Sequence, residues 1–285
     1  LASNVNPTVR RRRLGQELRR LREQKKMTAE QVADRLLVSQ SKISRLENGR
    51  RSISPRDVRD LCGVYEVADE RIVNSLMQMA RESRQQGWWN EFGDVPYSVY
   101  IGFETAAASL RIYQSLIVPG LLQTRAYAEA VIAGSSPEVS AADVEKRVEV
   151  RMRRQDRIRG PEQPLRLWAV FDEAALRRVV GDRQIMLEQL EHLLAVSELP
   201  HVTVQVLPFE TGAHPGVTGQ YAILEFPEES DSSVIYLEGV TSDLYLEKGE
   251  DVHNYCMMYE HLRAQAHNPE QTRKFIADAA KTYAR

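Results

Sequence analysis

The sequence predicts an α+β protein. A small all-helical N-terminal domain over residues 1–83, ending in a linking helix, is joined to a larger α+β domain over residues 84–285 with a small mixed or antiparallel sheet. Three observations predict this division. Apolar residues recur at helical spacing through the first part, strand-like runs are confined to the second, and charge is unevenly shared between them.

The chain has 285 residues, enough for one large or two ordinary domains with a real core. Its net charge is only −2, yet residues 1–63 hold 16 Lys/Arg against 7 Asp/Glu, and the remainder 22 against 33. A basic head on an acidic body points to a polyanion partner for the head and argues against the whole chain coating nucleic acid or membrane. The two cysteines, Cys62 and Cys256, have no CxxC or metal-ligand spacing, which fits a reducing cytoplasm. No long apolar stretch or signal-peptide pattern is present, so no membrane association is expected.

Val9, Leu14, Leu18 and Leu21 predict the first helix, with Arg10, Arg11, Arg12, Arg13, Arg19, Arg20 and Arg22 between them. The run Arg10 to Arg13 reads either as a flexible basic arm or as a solvated helix end. Thr28 with Gln31 three residues on has the capping-box arrangement, in which each side chain satisfies the other's backbone amide. A second helix is therefore predicted over about 29–36, with Val32, Ala33 and Leu36 on one face. Ser39 is an N-cap for a third helix that Asn48-Gly49 closes. Ser54-Pro55 opens a fourth, because Pro is tolerated in the first helical turn. The turn near Leu37 and Val38 is short enough to make helices two and three a helix-turn-helix.

On the third helix Ile43 and Leu46 are three apart and share the buried face. Ser41, Ser44 and Arg45 fall opposite, with Gln40 and Lys42 on the flanks and Glu47 near the apolar edge. A polar helix face is usually just solvated. Here the basic head and the preceding short turn make a base-reading role the better account.

The stretch TAEQVADRLLVSQSKISRLENGRRSISP resembles the helix-turn-helix of lambda-repressor-like (Xre-type) regulators, over about a quarter of the chain. The resemblance implies base reading by Gln40, Ser41 and Arg45, with Ser44 on the same face. Gln pairs twice with adenine, Arg twice with guanine, and Ser with either. Lys42, Arg50 and Arg51 are expected to grip phosphates, together with the helix starts at Thr28 and Ser39 and with Arg10 and Arg13. Leu37 stands where that family usually has Gly. It predicts either a left-handed leucine, at about 1 kcal/mol, or a reshaped turn.

A linking helix, ERIVNSLMQMARESRQ, leads into an aromatic cluster, Trp88, Trp89, Phe92, Tyr97, Tyr100 and Phe103. It reads as a packed junction between head and body. Trp88, Trp89, Tyr97 and Phe103 also mark a candidate interdomain or effector region. Strands are predicted over 165–173, 201–209, 219–227 and 233–239, flanked by helices. The phrases QQGWWNEFGD, IVPGLLQTRAYAEAVI, LPHVTVQVLPFETGAHPG and SDLYLEKGEDVHNY resemble the C-terminal domain of unknown function of actinobacterial antitoxin-like and WhiJ-like regulators. That resemblance implies a small protein partner.

Enzyme chemistry is not expected. His201 and His214 with Asp172, Glu173 or Glu210 make an imaginable acid/base set, and His253, Cys256 and His261 an imaginable metal set. Neither has a recognised spacing, and HEXXH, P-loop and GxSxG motifs are absent. No cofactor or metal is expected. The loop 210–219 reads as an ordinary surface connection, with a ligand lid or partner surface as the alternative. The expected function is a homodimeric transcriptional regulator of double-stranded DNA, modulated through its C-terminal domain by a small protein or small molecule. The alternative is an antitoxin-like protein-binding module whose DNA binding is mainly autoregulatory.

Overall fold

A computed structural model describes residues 6–49, 51–93, 95, 97–136, 138–160, 163–228, 231–239 and 242–284. The chain divides into two compact units, Leu1–Ala106 and Ala107–Arg285. The segment 84–106, grouped with the body in the sequence reading, lies in the first unit.

That unit is all-helical: α1 (Pro7–Gln24), α2 (Ala29–Arg35), α3 (Gln40–Glu47), α4 (Pro55–Val64), α5 (Glu70–Glu82), a 3-10 turn (Trp88–Phe92) and α6 (Ser98–Ala106). The local signals sit at the helix starts. Asn6 accepts from Thr8 N and Val9 N. Thr28 and Gln31 complete a capping box, Ser39 accepts from Lys42 N, and Ser54 with Asp57 makes a second box. One core gathers Leu14, Leu18, Val32, Ile43, Leu46 and Leu61 with residues of α5 such as Leu76 and Ala80. The helix expected as a linker is thus part of the head's core. Gly15 lets α1 and α3 approach, because a Cβ there would lie 2.5 Å from Glu47 O.

The second unit carries a six-stranded mixed sheet in the order β3-β2-β1-β4-β5-β6. Its strands are β1 (Ser109–Gln114), β2 (Arg166–Asp172), β3 (Val202–Leu207), β4 (Tyr221–Glu225), β5 (Val234–Leu237) and β6 (Leu244–Leu246). Between β1 and β2 lie α7 (Arg125–Ser135), α8 (Ala141–Arg154) and α9 (Asp156–Arg159). Between β2 and β3 lie α10 (Ala174–Arg177) and α11 (Arg183–Val196). These helical crossovers allow β1, β2 and β3 to be parallel, whereas short connections make β4, β5 and β6 antiparallel. Two closing helices follow, α12 (Gly249–Gln265) and α13 (Pro269–Tyr283).

Two strands lie outside the sequence expectation. β1 holds a central place, yet Ser109, Arg111 and Gln114 interrupt its apolar run. Arg111 reaches Glu225 (2.7 Å), Glu260 (3.6 Å) and the Cys256 Sγ (3.3 Å), all distant in sequence. β6 has only three residues and sits at the sheet edge.

Candidate nucleic-acid interface

The turn before α3 is tight. Leu37 keeps the left-handed conformation at φ 54°, and its side chain is 93% exposed. The turn is therefore not reshaped to suit leucine. The strain of a non-glycine residue is accepted, and a large apolar side chain is left in solvent.

α3 has two sharply different faces. Ile43 and Leu46 are buried in the core, while Gln40, Ser41, Ser44 and Arg45 are exposed and Lys42 is half-buried. The polar groups are organised rather than loose. Arg45 donates from Nε to Ser41 O (3.1 Å) and from Nη2 to Ser41 Oγ (3.3 Å). Ser41 Oγ lies 3.1 Å from the capping Ser39 Oγ, and Asn48 Nδ2 donates to Ser44 Oγ at 3.3 Å. Lys42 Nζ pairs with Asp57 Oδ1 at 3.2 Å. All are short side-chain contacts at a solvent-facing surface, so water or another hydrogen-bonding partner can replace them at small cost.

Glu47, expected near the apolar edge, is buried. Arg22 grips it with two parallel bonds, Nε to Oε1 (2.7 Å) and Nη2 to Oε2 (2.9 Å), and donates from Nη1 to Met27 O (2.7 Å). This fork ties α1, the loop before α2 and the end of α3 together. The hydrogen bond that Arg22 donates to Glu47 raises the Arg22 pKa against the opposing effect of burial. Nearby, burial pushes the Tyr65 hydroxyl well above its ordinary pKa, and the Glu47 charge adds to the shift.

The basic run on α1 is neither a flexible arm nor a solvated end. Arg10 pairs with Glu82 at 3.2 Å, Arg11 donates to Ser83 O at 3.3 Å, and Arg12 is buried with its guanidinium 5.8 Å over the Phe103 ring. Burial lowers the Arg11 pKa. Arg13 is half-buried. Thr28 and Arg51 are at the surface, and Arg50 lies outside the described residues.

The aromatic segment closes on itself and on α1. Trp88 stands edge-on to Trp89 (5.9 Å) and Phe92 (6.1 Å). Trp89, Tyr100 and Phe103 are buried, while Tyr97 is half-buried and left-handed at φ 55°. Asn6 Nδ2 donates to Gly102 O at 2.8 Å. A Cβ at Gly102 would strike Thr8, so only glycine lets α6 approach α1 this closely.

A family model described as a helix-turn-helix domain matches residues 13–73, and one described as a domain of unknown function (DUF5753) matches residues 97–278. The chain belongs to the DUF5753 family. No curated protein and no solved structure matches it. The helix-turn-helix domain of this DUF5753 chain suggests a DNA-binding regulator rather than an enzyme. No helix of the described residues is long and apolar enough to cross a membrane.

His201 and His214 of the DUF5753 part are engaged separately. His201 Nε2 contacts Ile158 O at 2.8 Å. His214 lies 3.6 Å from Asp172 Oδ2 through Nε2, and its Nδ1 accepts from Gly216 N at 3.1 Å. Glu173 accepts from Phe209 N at 3.0 Å and from Arg177 at 3.0 Å. His201 is therefore not joined to His214, whose Nδ1 already accepts a hydrogen bond while its Nε2 stands just beyond hydrogen-bond distance of Asp172. His253 and His261 are exposed, and Cys256 contacts Arg111. Among the described residues, no group of three or more His, Cys, Asp and Glu side chains has an arrangement able to hold a metal ion.

The partners of α3 lie far from it in sequence. Glu47 belongs with Arg22, 25 residues away, and Asp57 with Lys42, 15 residues away. A signal for Asp57 existed, since it stands three residues after the capping Ser54. No local pattern marks Glu47.

Proposed function

We propose that the protein is a sequence-specific transcriptional regulator that binds double-stranded DNA as a homodimer, with α3 in the major groove. One observation carries this reading: α3 exposes Gln40, Ser41, Ser44 and Arg45 opposite the buried Ile43 and Leu46, within a helix-turn-helix domain. Gln40 reads adenine, Arg45 reads guanine, and the serines accept either through water or directly. Lys42, Arg13, Arg50, Arg51 and the amides at the Thr28 and Ser39 helix starts hold phosphates and fix register. Arg10, paired with Glu82 at 3.2 Å, is set aside from this reading.

A single α3 spans only a few base pairs. Two heads on half-sites about one DNA turn apart, roughly 34 Å, supply the missing affinity and specificity. The DUF5753 part provides dimerisation and regulatory input, in the manner implied by the resemblance to Xre-type heads on antitoxin-like or WhiJ-like bodies. Its effector, a small protein or small molecule, must bind the DNA-competent and incompetent states with different affinities.

Selection of bound duplexes from a random library with the full-length protein, repeated with Gln40→Ala and Arg45→Ala, tests the reading. The expected result is an inverted-repeat motif that weakens in both variants. Recovery of no motif at moderate salt overturns it and leaves protein binding as the main activity.

A further inference from the structure

Lys42 and Asp57 meet at the flank of the exposed face of α3. The Lys42 side chain is 27% exposed and that of Asp57 36%, with Nζ 3.2 Å from Oδ1. The carboxylate is held in place by its own helix start. Its Oδ2 accepts from Ser54 N at 3.2 Å and from Ser54 Oγ at 2.5 Å, which leaves Oδ1 turned to α3. Partial burial works to raise the Asp57 pKa, but the bonds from Ser54 and Lys42 leave it below the ordinary value, so the group is an anion at neutral pH. The nearby Arg56 is largely exposed, with its head group 4.0 Å from Asp60. An open cleft of about 290 Å³, lined by Leu36, Val38, Lys42, Asp57, Asp60 and Leu61, lies beside the pair and gives the flexible Lys42 stem room to move.

We propose that Asp57 is a specificity-determining residue that competes with DNA phosphate for Lys42, so that Lys42 grips the backbone only where α3 is docked in register. This inference rests on the DNA-reading function proposed above. A pair this exposed is weak and screened by salt, so a phosphate presented in good geometry takes Lys42 from Asp57. A phosphate met in passing, on DNA that the reading face does not fit, does not. The carboxylate thereby subtracts more from random than from specific binding, and it does so through charge alone.

The test uses the full-length chain, the duplex most enriched in the library selection and a shuffled duplex of the same composition, each titrated across salt. Asp57→Asn, which keeps an oxygen for the Ser54 cap, is expected to bind the shuffled duplex several-fold tighter. The slope of log affinity against log salt on that duplex should steepen by about 0.9, the contribution of one phosphate contact. The selected duplex should gain less, so its advantage over the shuffled one falls. Adding Lys42→Gln should return the shuffled-duplex slope to that of the wild type.

An Asp57→Asn protein with wild-type slope and ratio overturns the inference. So does an equal loss of affinity on both duplexes at unchanged slope, the result expected of a purely structural cap. A wild-type protein that prefers no duplex at all refutes instead the underlying DNA-reading function, and the inference with it.

Discussion

Arg10 to Arg13 on α1 and Ser41 to Arg45 on α3 are both polar, arginine-bearing stretches, and the fold treats them in opposite ways. On α1 three of the four guanidinium groups face inward, to Glu82, to Ser83 O and to the Phe103 ring. On α3 the single guanidinium is exposed and restrained only by Ser41 on its own helix. Local charge density therefore identifies the class of partner, but tertiary packing decides which cations remain for it. The excess of basic residues in the head overstates the charge a polyanion meets.

The sharpest way to break the contrast is to attack the fork that sets the orientation of α3 on α1. Arg22→Ala leaves Glu47 as a nearly buried carboxylate with its main partner gone, a change that costs about 3 to 5 kcal/mol. Denaturant unfolding followed by tryptophan fluorescence in a Trp168→Phe background, which leaves Trp88 and Trp89 in the first unit as the reporters, measures it. A loss below about 1 kcal/mol would show that water replaces Arg22 and that the fork does not hold α3.

Arg45→Ala addresses the exposed side directly. Removing a bidentate base contact is expected to cost about 1 to 3 kcal/mol on the selected duplex and to relax base preference at one position, while stability changes little. Unchanged affinity and unchanged preference would remove Arg45 from the reading face.

These two residues also mark the limit of what the chain discloses locally. Thr28 with Gln31, Ser39, and Ser54 with Pro55 announce their helices because a cap is complete within four residues. The exposure pattern of α3 was legible for the same reason, since Ile43 and Leu46 are neighbours on one helix face. Arg22–Glu47 and Lys42–Asp57 were not, because nothing near either residue in sequence specifies its partner. The sheet shows the same split. The strands at 166–172, 221–225 and 234–237 contain unbroken apolar or aromatic runs, and that at 202–207 is rich in valine, whereas β1 carries Arg111 through the middle of the sheet. Its polar end meets Glu225, Glu260 and the Cys256 Sγ, which folding brings to it. A central strand with a charged residue is hidden until its ion partners are known.

Leu37 offers a smaller effect that separates fold strain from function. Its left-handed backbone costs about 1 kcal/mol, and its exposed side chain makes little use of its apolar surface. Leu37→Gly removes the strain but adds unfolded-state entropy. The expected net gain is a few tenths of a kcal/mol up to about 1, read as a shift of the unfolding midpoint. Affinity for the selected duplex should stay the same. A destabilised variant would mean that the leucine side chain contributes contacts or solvation that outweigh its backbone strain.

The smallest expected change is the one that tests the comparison most directly. Arg10→Gln removes a cation from the densest basic run in the head, so a reading based on charge count alone predicts weaker binding and a shallower salt dependence by about 0.9. The fold predicts otherwise. Arg10 is held by Glu82 with both side chains less than a third exposed, so its charge is already opposed at close range. Neutralising it releases Glu82, and the net change felt by a phosphate is small and screened beyond about 8 to 10 Å. Stability should fall by at most about 1 kcal/mol, and the salt slope on the selected duplex should match the wild type within error. A slope reduced by a full contact would place Arg10 on the DNA after all, and would mean that Glu82 surrenders it on binding as Asp57 surrenders Lys42.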